Sequence, residues 1–242
     1  MLILFDIDDT LVDHSSAFRA ATLALHQQAG VSAAMDDFFA TWAVAHRRHF
    51  DRYLVGELSY AQQGRARIRD AIDPGASDQT ADAMFATYIA SYEEAWRLFP
   101  DVIPCLDSLR EHQLGVISNG QAHQQRKKLD RTEIADRFGC VVISEECGHA
   151  KPAAEIFLRA CSAAGVSPQR TIYVGDLYDL DAEAARRAGL VGVWLDRLGQ
   201  GTADQRPPRI CSLDDLKGVV DVISAPPRGT AAGWPRTQAS GA

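Results

Sequence analysis

The chain has 242 residues, of which 46% are hydrophobic and 24% charged, enough length and apolar content for a sizeable buried core. With 25 basic against 32 acidic residues and a formal charge of −7, it lacks the broad basic surface that holds polymeric nucleic acid through its phosphates. No apolar run approaches the ~18 residues of a membrane span, and the 5 cysteines, odd in number and without a Cys-x-x-Cys pair, argue against both a disulfide framework and a zinc site.

Met1 leads directly into Leu2-Ile3-Leu4-Phe5 with no basic leader, so a secretory signal is not expected and the cytoplasm is the default location. That run predicts a buried strand, and it discharges into Asp6-Ile7-Asp8-Asp9-Thr10-Leu11. Carboxylates crowded at a strand end cost free energy unless a cation or hydrogen bonds compensate them, so something positive is expected there. An EF-hand calcium loop starting at Asp6 does not fit, because its glycine and glutamate positions hold Leu11 and Ala17.

Residues 13 to 98 contain no convincing strand and several helical patterns. Phe18, Thr22, Leu25 and Ala29 fall on one face of a helix that Gly30 can end; Phe38, Trp42, Ala45, His49 and Tyr53 mark a second, and Phe85, Ile89, Tyr92 and Trp96 another. This reads as an inserted helical subdomain whose aromatic stripes form its own core. His46 and His49 share a helical face, but without a third ligand in view a metal site is not expected there.

Further β-runs follow at 114 to 118, 140 to 144, 171 to 175 and 190 to 195, each succeeded by a turn and a helical pattern. Near-continuous apolar strands alternating with helices predict an α/β fold with a doubly wound parallel sheet. The predicted division is a core of residues 1–12 and 99–224, a helical insertion at 13–98, and a disordered tail at 225–242, where proline and small residues replace apolar periodicity.

Ligands of such sheets gather at the carboxyl ends of the strands. The polar residues there are Asp6 and Asp8; Ser118, Asn119 and Gly120; Lys151, before Pro152; and Asp176, after Gly175, with Asp181. Any one of them could be a turn, a cap or a surface residue, but together, in this order, they are very hard to explain as turns. Asp9, Asp13 and Asp179 are expected to be solvated or capping residues.

In this arrangement the sequence resembles the haloacid dehalogenase superfamily of aspartate-nucleophile hydrolases, over about residues 1 to 200 and in all four motifs; residues 145 to 157 resemble its third motif well beyond the lysine. The helical insertion is similar to the α-helical cap of the subgroup holding haloacid dehalogenases, phosphonatase, β-phosphoglucomutase and many small-metabolite phosphatases. The resemblance implies a Mg²⁺-dependent phosphatase acting on a small phosphorylated metabolite through an aspartyl-phosphate. It makes Asp6 the nucleophile and Asp8 the acid and base, two roles that require their environments to set their protonation apart. It assigns Mg²⁺ to Asp6, the backbone carbonyl of Asp8 and Asp176, with Asp181 acting through water or by orienting Lys151. Ser118 and Lys151 would hold phosphoryl oxygens, Thr10 would brace the first loop, and Asn119 and Gly120 would offer an amide or a substrate contact.

The alternatives on the same core are a 2-haloacid dehalogenase and a phosphomutase. The retained Asp8 and Gly175-Asp176 speak against the first, while cap residues would decide the second. A non-catalytic binding domain has no evident need of Asp6, Asp8, Lys151 and Asp176 together. Substrate contacts are sought among Arg47, Arg48, Arg52, Tyr53, Arg65, Arg67 and Arg69, although most arginines of such an insertion are solvated. The segment 54–59 loosely resembles capped nucleotide and sugar phosphatases, which puts a nucleotide or sugar phosphate first. Oligomeric state is not readable.

Overall fold

The computed structural model describes residues 1–201 and 207–225; all but the first residue of the tail expected to be disordered lies outside them. Six strands, β1 (Leu2–Phe5), β2 (Gln113–Ser118), β3 (Cys140–Ile143), β4 (Thr171–Gly175), β5 (Val191–Leu195) and β6 (Arg209–Ile210), form one parallel sheet in the order β3-β2-β1-β4-β5-β6. The first strand is therefore central, with β2 and β4 on either side. The chain winds outwards from it in both directions, which opens a crevice at its carboxyl end. The two-residue β6 is too short to leave an alternation that sequence reading can detect.

Alternation along β1 divides the core between two faces. Ile3 and Phe5 pack with Val116, Val174 and Val193 on one side. Leu2 and Leu4 meet Ile117, Phe157 and Tyr173 on the other. All four residues of the strand are buried, as a parallel strand covered on both faces requires.

Between β1 and β2 lie α1 (His14–Ala29), α2 (Met35–Leu54), α3 (Tyr60–Ala71), α4 (Asp78–Glu94) and the short α5 (Val102–Ser108). Asp13 caps α1 by accepting the Ser16 amide, and Gly30 closes it at φ 59°, a conformation that favours glycine. The polar α3 leaves little apolar periodicity and was not foreseen; a capping box between Ser59 and Gln62 starts it. The chain enters and leaves the first four helices side by side, Val12 bridging Leu98 and the Asp13 amide donating to the Arg97 carbonyl at 2.9 Å. The aromatic stripes do pack together, but Phe18, Trp42, Phe85 and Trp96 belong to the same apolar cluster as Ile3 and Phe5, so this core is shared with the sheet.

The remaining helices are α6 (Ala122–Arg131), α7 (Ser144–Cys147), α8 (Ala154–Ala164), α9 (Glu183–Arg187) and α10 (Leu216–Ser224). Among the described residues, no helix is long and apolar enough to cross a membrane. Beyond β5, Arg197 reaches back to the first loop. Its guanidinium pairs with both oxygens of Asp101 at 2.8 and 3.0 Å and donates to the Thr10 carbonyl at 2.8 Å, which fixes the backbone just after the first acids.

Gly64 lets α3 approach α4 closely: a Cβ there would lie 2.4 Å from Cδ1 of Phe85. Gly64→Ala is expected to destabilise the protein by about 1 to 3 kcal/mol through overpacking, despite alanine's better helix propensity. Thermal unfolding checks this, and an unchanged or raised midpoint would contradict so tight a contact.

Candidate active site

Lys151, buried in the loop after α7, is the charge expected among the acids. Its Nζ lies 2.6 Å from Asp6 Oδ1, 2.7 Å from Asp181 Oδ1 and 3.0 Å from the Tyr173 hydroxyl. The loop is tied to the end of β2 by Asn119, whose side chain accepts from the Lys151 amide at 2.8 Å and donates to its carbonyl at 3.0 Å. The Asn119 amide group is thus committed to positioning Lys151. The backbone amide of Gly120 is likewise engaged, donating to Ser144 Oγ at 2.9 Å. Strand-end loops must satisfy their own polar groups, and these bonds do so.

Asp181 is fully buried and has both oxygens engaged: Oδ1 accepts from Lys151 and from the Tyr173 hydroxyl at 3.0 Å, and Oδ2 from the Leu177 amide at 3.0 Å. A Cβ at Gly175 would meet Asp181 Cγ at 2.4 Å, so only glycine leaves room for this carboxylate beneath the strand end. Ser118 is buried, its hydroxyl donating to the Asn119 carbonyl at 3.3 Å. The Thr10 hydroxyl has no hydrogen-bond partner among the described residues. Thr10 is tied to Arg197 through its carbonyl.

Asp8 faces a different set of groups. One oxygen is paired with the fully buried Lys128, the other accepts from Gln125 Nε2 at 2.9 Å, and His14 Nδ1 stands 3.8 Å away. Lys128 is held by the Tyr92 hydroxyl at 3.2 Å and lies over the rings of Tyr92 and Trp96. Burial alone would raise the pKa of Asp8, but Lys128, His14 and Gln125 outweigh it and hold the carboxyl well below the usual range. Asp6 moves the opposite way: burial pushes it up, Lys151 opposes, and Asp181 and Asp8 push it further up. The two acids of the first motif are thus set apart.

Asp6, Asp176 and Asp181 offer carboxylate oxygens within 4.8 Å of one another, a group that does not include Asp8. The set fits a divalent cation on its own chemistry. Three acids share one ammonium group, and Asp176 is pushed up by burial and by the charges of Asp6 and Asp181, with Lys151 only partly relieving it. All donors are hard oxygens, as Mg²⁺ prefers. Because Asp181 spends both oxygens on its neighbours, Asp6 and Asp176 are the side chains best suited to direct coordination.

Asp6, Asp8, Ser118, Lys151 and Asp176 line one cavity of about 330 Å³, whose walls also include Tyr60 and Arg67 of α3. Of segment 54–59, only Leu54 reaches it, so the residues behind the nucleotide or sugar expectation are mostly elsewhere. Tyr53 is bonded to Glu145 across the gap between α2 and α7, at 2.8 Å. His49 is bonded to Asp70 at 2.7 Å. Sequence reading missed Gln125, Lys128, Tyr173 and Arg197. The first two share a buried helical face with Leu129, but in so polar a helix nothing marked that face as inward.

A family model described as a haloacid dehalogenase-like hydrolase matches residues 1–189. The glyceraldehyde 3-phosphate phosphatase of Methanopyrus kandleri is 33% identical over 226 residues, 86% of this chain and 87% of that protein. A phosphoserine phosphatase of Thermus thermophilus is 30% identical, covering 81% of this chain and 88% of its own. Among solved structures, a 2-haloacid dehalogenase from Pseudomonas syringae superposes with a TM-score of 0.70 at 27% identity, over 91% of this chain and 98% of that one.

Lys128→Met leaves Asp8 beside the cavity without its counter-charge, at an expected stability cost of about 2 kcal/mol at pH 7. The folded-state pKa of Asp8 is depressed, so the wild-type advantage is present above the unfolded carboxylate value and fades as pH falls below about 4. Thermal unfolding of both proteins from pH 7 downwards measures the gap, and a gap that widens on acidification would contradict the pairing.

Proposed function

The chain belongs to the haloacid dehalogenase-like hydrolases, and from that premise we propose that it is a Mg²⁺-dependent phosphatase that hydrolyses a small phosphate monoester through an aspartyl-phosphate on Asp6. One observation carries the reading: the buried Asp6 is bonded to Lys151 while Asp8, in the same cavity, is controlled separately by Lys128 and Gln125. A two-step phosphoryl transfer needs a nucleophile and a proton-transfer group in different electrostatic surroundings; burial and the neighbouring acids favour the protonated Asp6, and the positive charge of a cation held there would favour its nucleophilic carboxylate.

A bound Mg²⁺ supplies positive charge that offsets the crowded carboxylates and the phosphoryl oxygens. Asp6 and Asp176 would hold it, with the backbone carbonyl of Asp8 as the family resemblance implies. Asp6 attacks phosphorus and the bond to the leaving alkoxide breaks, while Lys151 and Ser118 donate to the phosphoryl oxygens. Asp8 gives its proton to the leaving oxygen. It then takes a proton from the water that attacks the aspartyl-phosphate, releasing phosphate and restoring Asp6. Lys128 favours the ionised Asp8 of the second step, whereas a phosphoryl dianion arriving beside Asp8 opposes Lys128 and favours the protonated form of the first.

In this reading Asp181, Tyr173 and Asn119 position Lys151, Arg197 positions the first loop, and the helices of residues 13 to 98 cap the site. Departing halide requires no proton, so a dehalogenase has no use for the apparatus around Asp8. Cysteines without disulfides suit a reducing compartment, and a cytoplasmic setting is part of this proposal.

Phosphate release from a panel of phosphorylated metabolites tests the proposal. Activity is expected only with Mg²⁺, is lost on chelation, and returns when the ion is restored. Asp6→Asn should lower kcat by at least about a thousandfold, roughly 4 kcal/mol of barrier, in protein that still unfolds cooperatively. Halide release from a 2-haloacid without phosphatase activity would overturn the reading.

A further inference from the structure

We infer that one wall of the cavity, formed by Arg67 and Gln63 of α3 with His46 of α2, is a subsite for a second anionic group, and that the substrate is a phosphate monoester whose leaving alcohol carries a carboxylate or a further phosphate. The inference rests on the phosphatase reading above and names the substrate class within it.

The arginines of the helical segment divide sharply. Arg48 pairs with Asp70, Arg52 with Glu57, Arg65 with Asp78 and Asp82, and Arg69 with Asp78. Arg67 is only 3% exposed and forms no ion pair among the described residues. Its guanidinium lies 4.3 Å from the centroid of the Trp42 ring, 4.8 Å from Tyr88 and 5.1 Å from Phe85. The Tyr88 side chain also hydrogen-bonds the guanidinium, and the rings favour the cation through their faces, but neither supplies a negative charge. Nε and Nη2 are buried without a hydrogen-bond partner.

Gln63 stands one turn earlier on the same helical face and is fully buried, and neither its oxygen nor its nitrogen has a partner. The Nδ1 of His46 is also buried and unpartnered. Burial first, and then the Arg67 charge, hold this imidazole neutral. All three side chains line the cavity that contains Asp6 and Lys151. Asp51 also lines the cavity but is exposed, and none of the acids lining it forms an ion pair with Arg67 among the described residues.

An inward-facing cation with no protein counter-charge is among the costliest placements a fold can make. A carboxylate or phosphate across the guanidinium edge supplies both the charge and the paired acceptors that Nε and Nη2 lack. Gln63 can donate to the same group from beside it. A neutral polyol would satisfy hydrogen bonds and leave the charge unmatched. The cavity volume of about 330 Å³ suits a leaving alcohol of few atoms.

The test compares 2-phosphoglycolate and ethylene glycol bisphosphate with ethyl phosphate, which has the same two-carbon skeleton and no second anion. Wild-type enzyme with Mg²⁺ is expected to favour one of the two anionic compounds by at least about tenfold in kcat/KM; whichever is preferred identifies the group. Arg67→Met should reduce that ratio by about tenfold, Gln63→Leu by less, and Arg67→Lys should keep part of it. A ratio unchanged in folded Arg67→Met protein, or a wild-type preference for ethyl phosphate, would overturn the subsite. If Arg67→Met fails to fold, the ratio in Gln63→Leu decides in the same way.

Binding separates this inference from the phosphatase reading. Calorimetry on Asp6→Asn protein should show the same anionic preference, weakened by the added Arg67→Met. Equal affinities for all three compounds would overturn the subsite. That preference in a wild-type protein that hydrolyses none of them would support the subsite and count against the phosphatase reading alone.

Discussion

A single buried ammonium group holds the carboxyl end of the sheet together. Lys151 lies between Asp6 and Asp181, which arrive from β1 and from the turn after β4, while Asn119 at the end of β2 grips the lysine backbone from both sides. Remove that charge and the acids repel one another in a site with little water to screen them. Glycine at position 175, the Tyr173 hydroxyl and the Leu177 amide all contribute to placing Asp181 beside the ammonium.

Separate control of the two acids in the first motif extends this arrangement. They are two residues apart on one strand end, yet Asp6 meets the ammonium of Lys151 and Asp8 that of Lys128, which comes from α6 and is clasped by Tyr92 of α4. Tyr92 also receives or gives a hydrogen bond at His14, so the helices beyond β1 help set the charge state of Asp8. Helical segment and sheet are continuous in their apolar cluster as well, and the cavity lies where they meet.

Much of the parallel sheet was legible because apolar strands alternating with helices leave a local signal, and five of the six strands fall where β-runs were read. The acids, the serine and the lysine were legible for a related reason: the acids and the serine stand at or just after the end of such a run, the lysine follows the third run beyond α7, and all fall in a recognisable motif. What remained hidden is the set of polar residues that hold them. Gln125 and Lys128 sit in a helix that reads as solvated, and α3 is so polar that it was passed over altogether. Asn119 and Gly120 were legible as strand-end residues, but their bonds to the Lys151 backbone and to Ser144 depend on how separate loops meet.

The sequence by itself determined the strand framework and the polar groups that follow its ends, because periodicity and motif spacing act over a few neighbouring residues. Only the tertiary structure decided which ammonium governs which acid and which arginine lost its counter-charge. Lys128 and Asp8 are 120 positions apart, and Arg67 shares its helix with two arginines that are paired at the surface. Pairing and burial depend on how distant segments meet, and a charged side chain carries the same local signature whether it ends in water or against three aromatic rings.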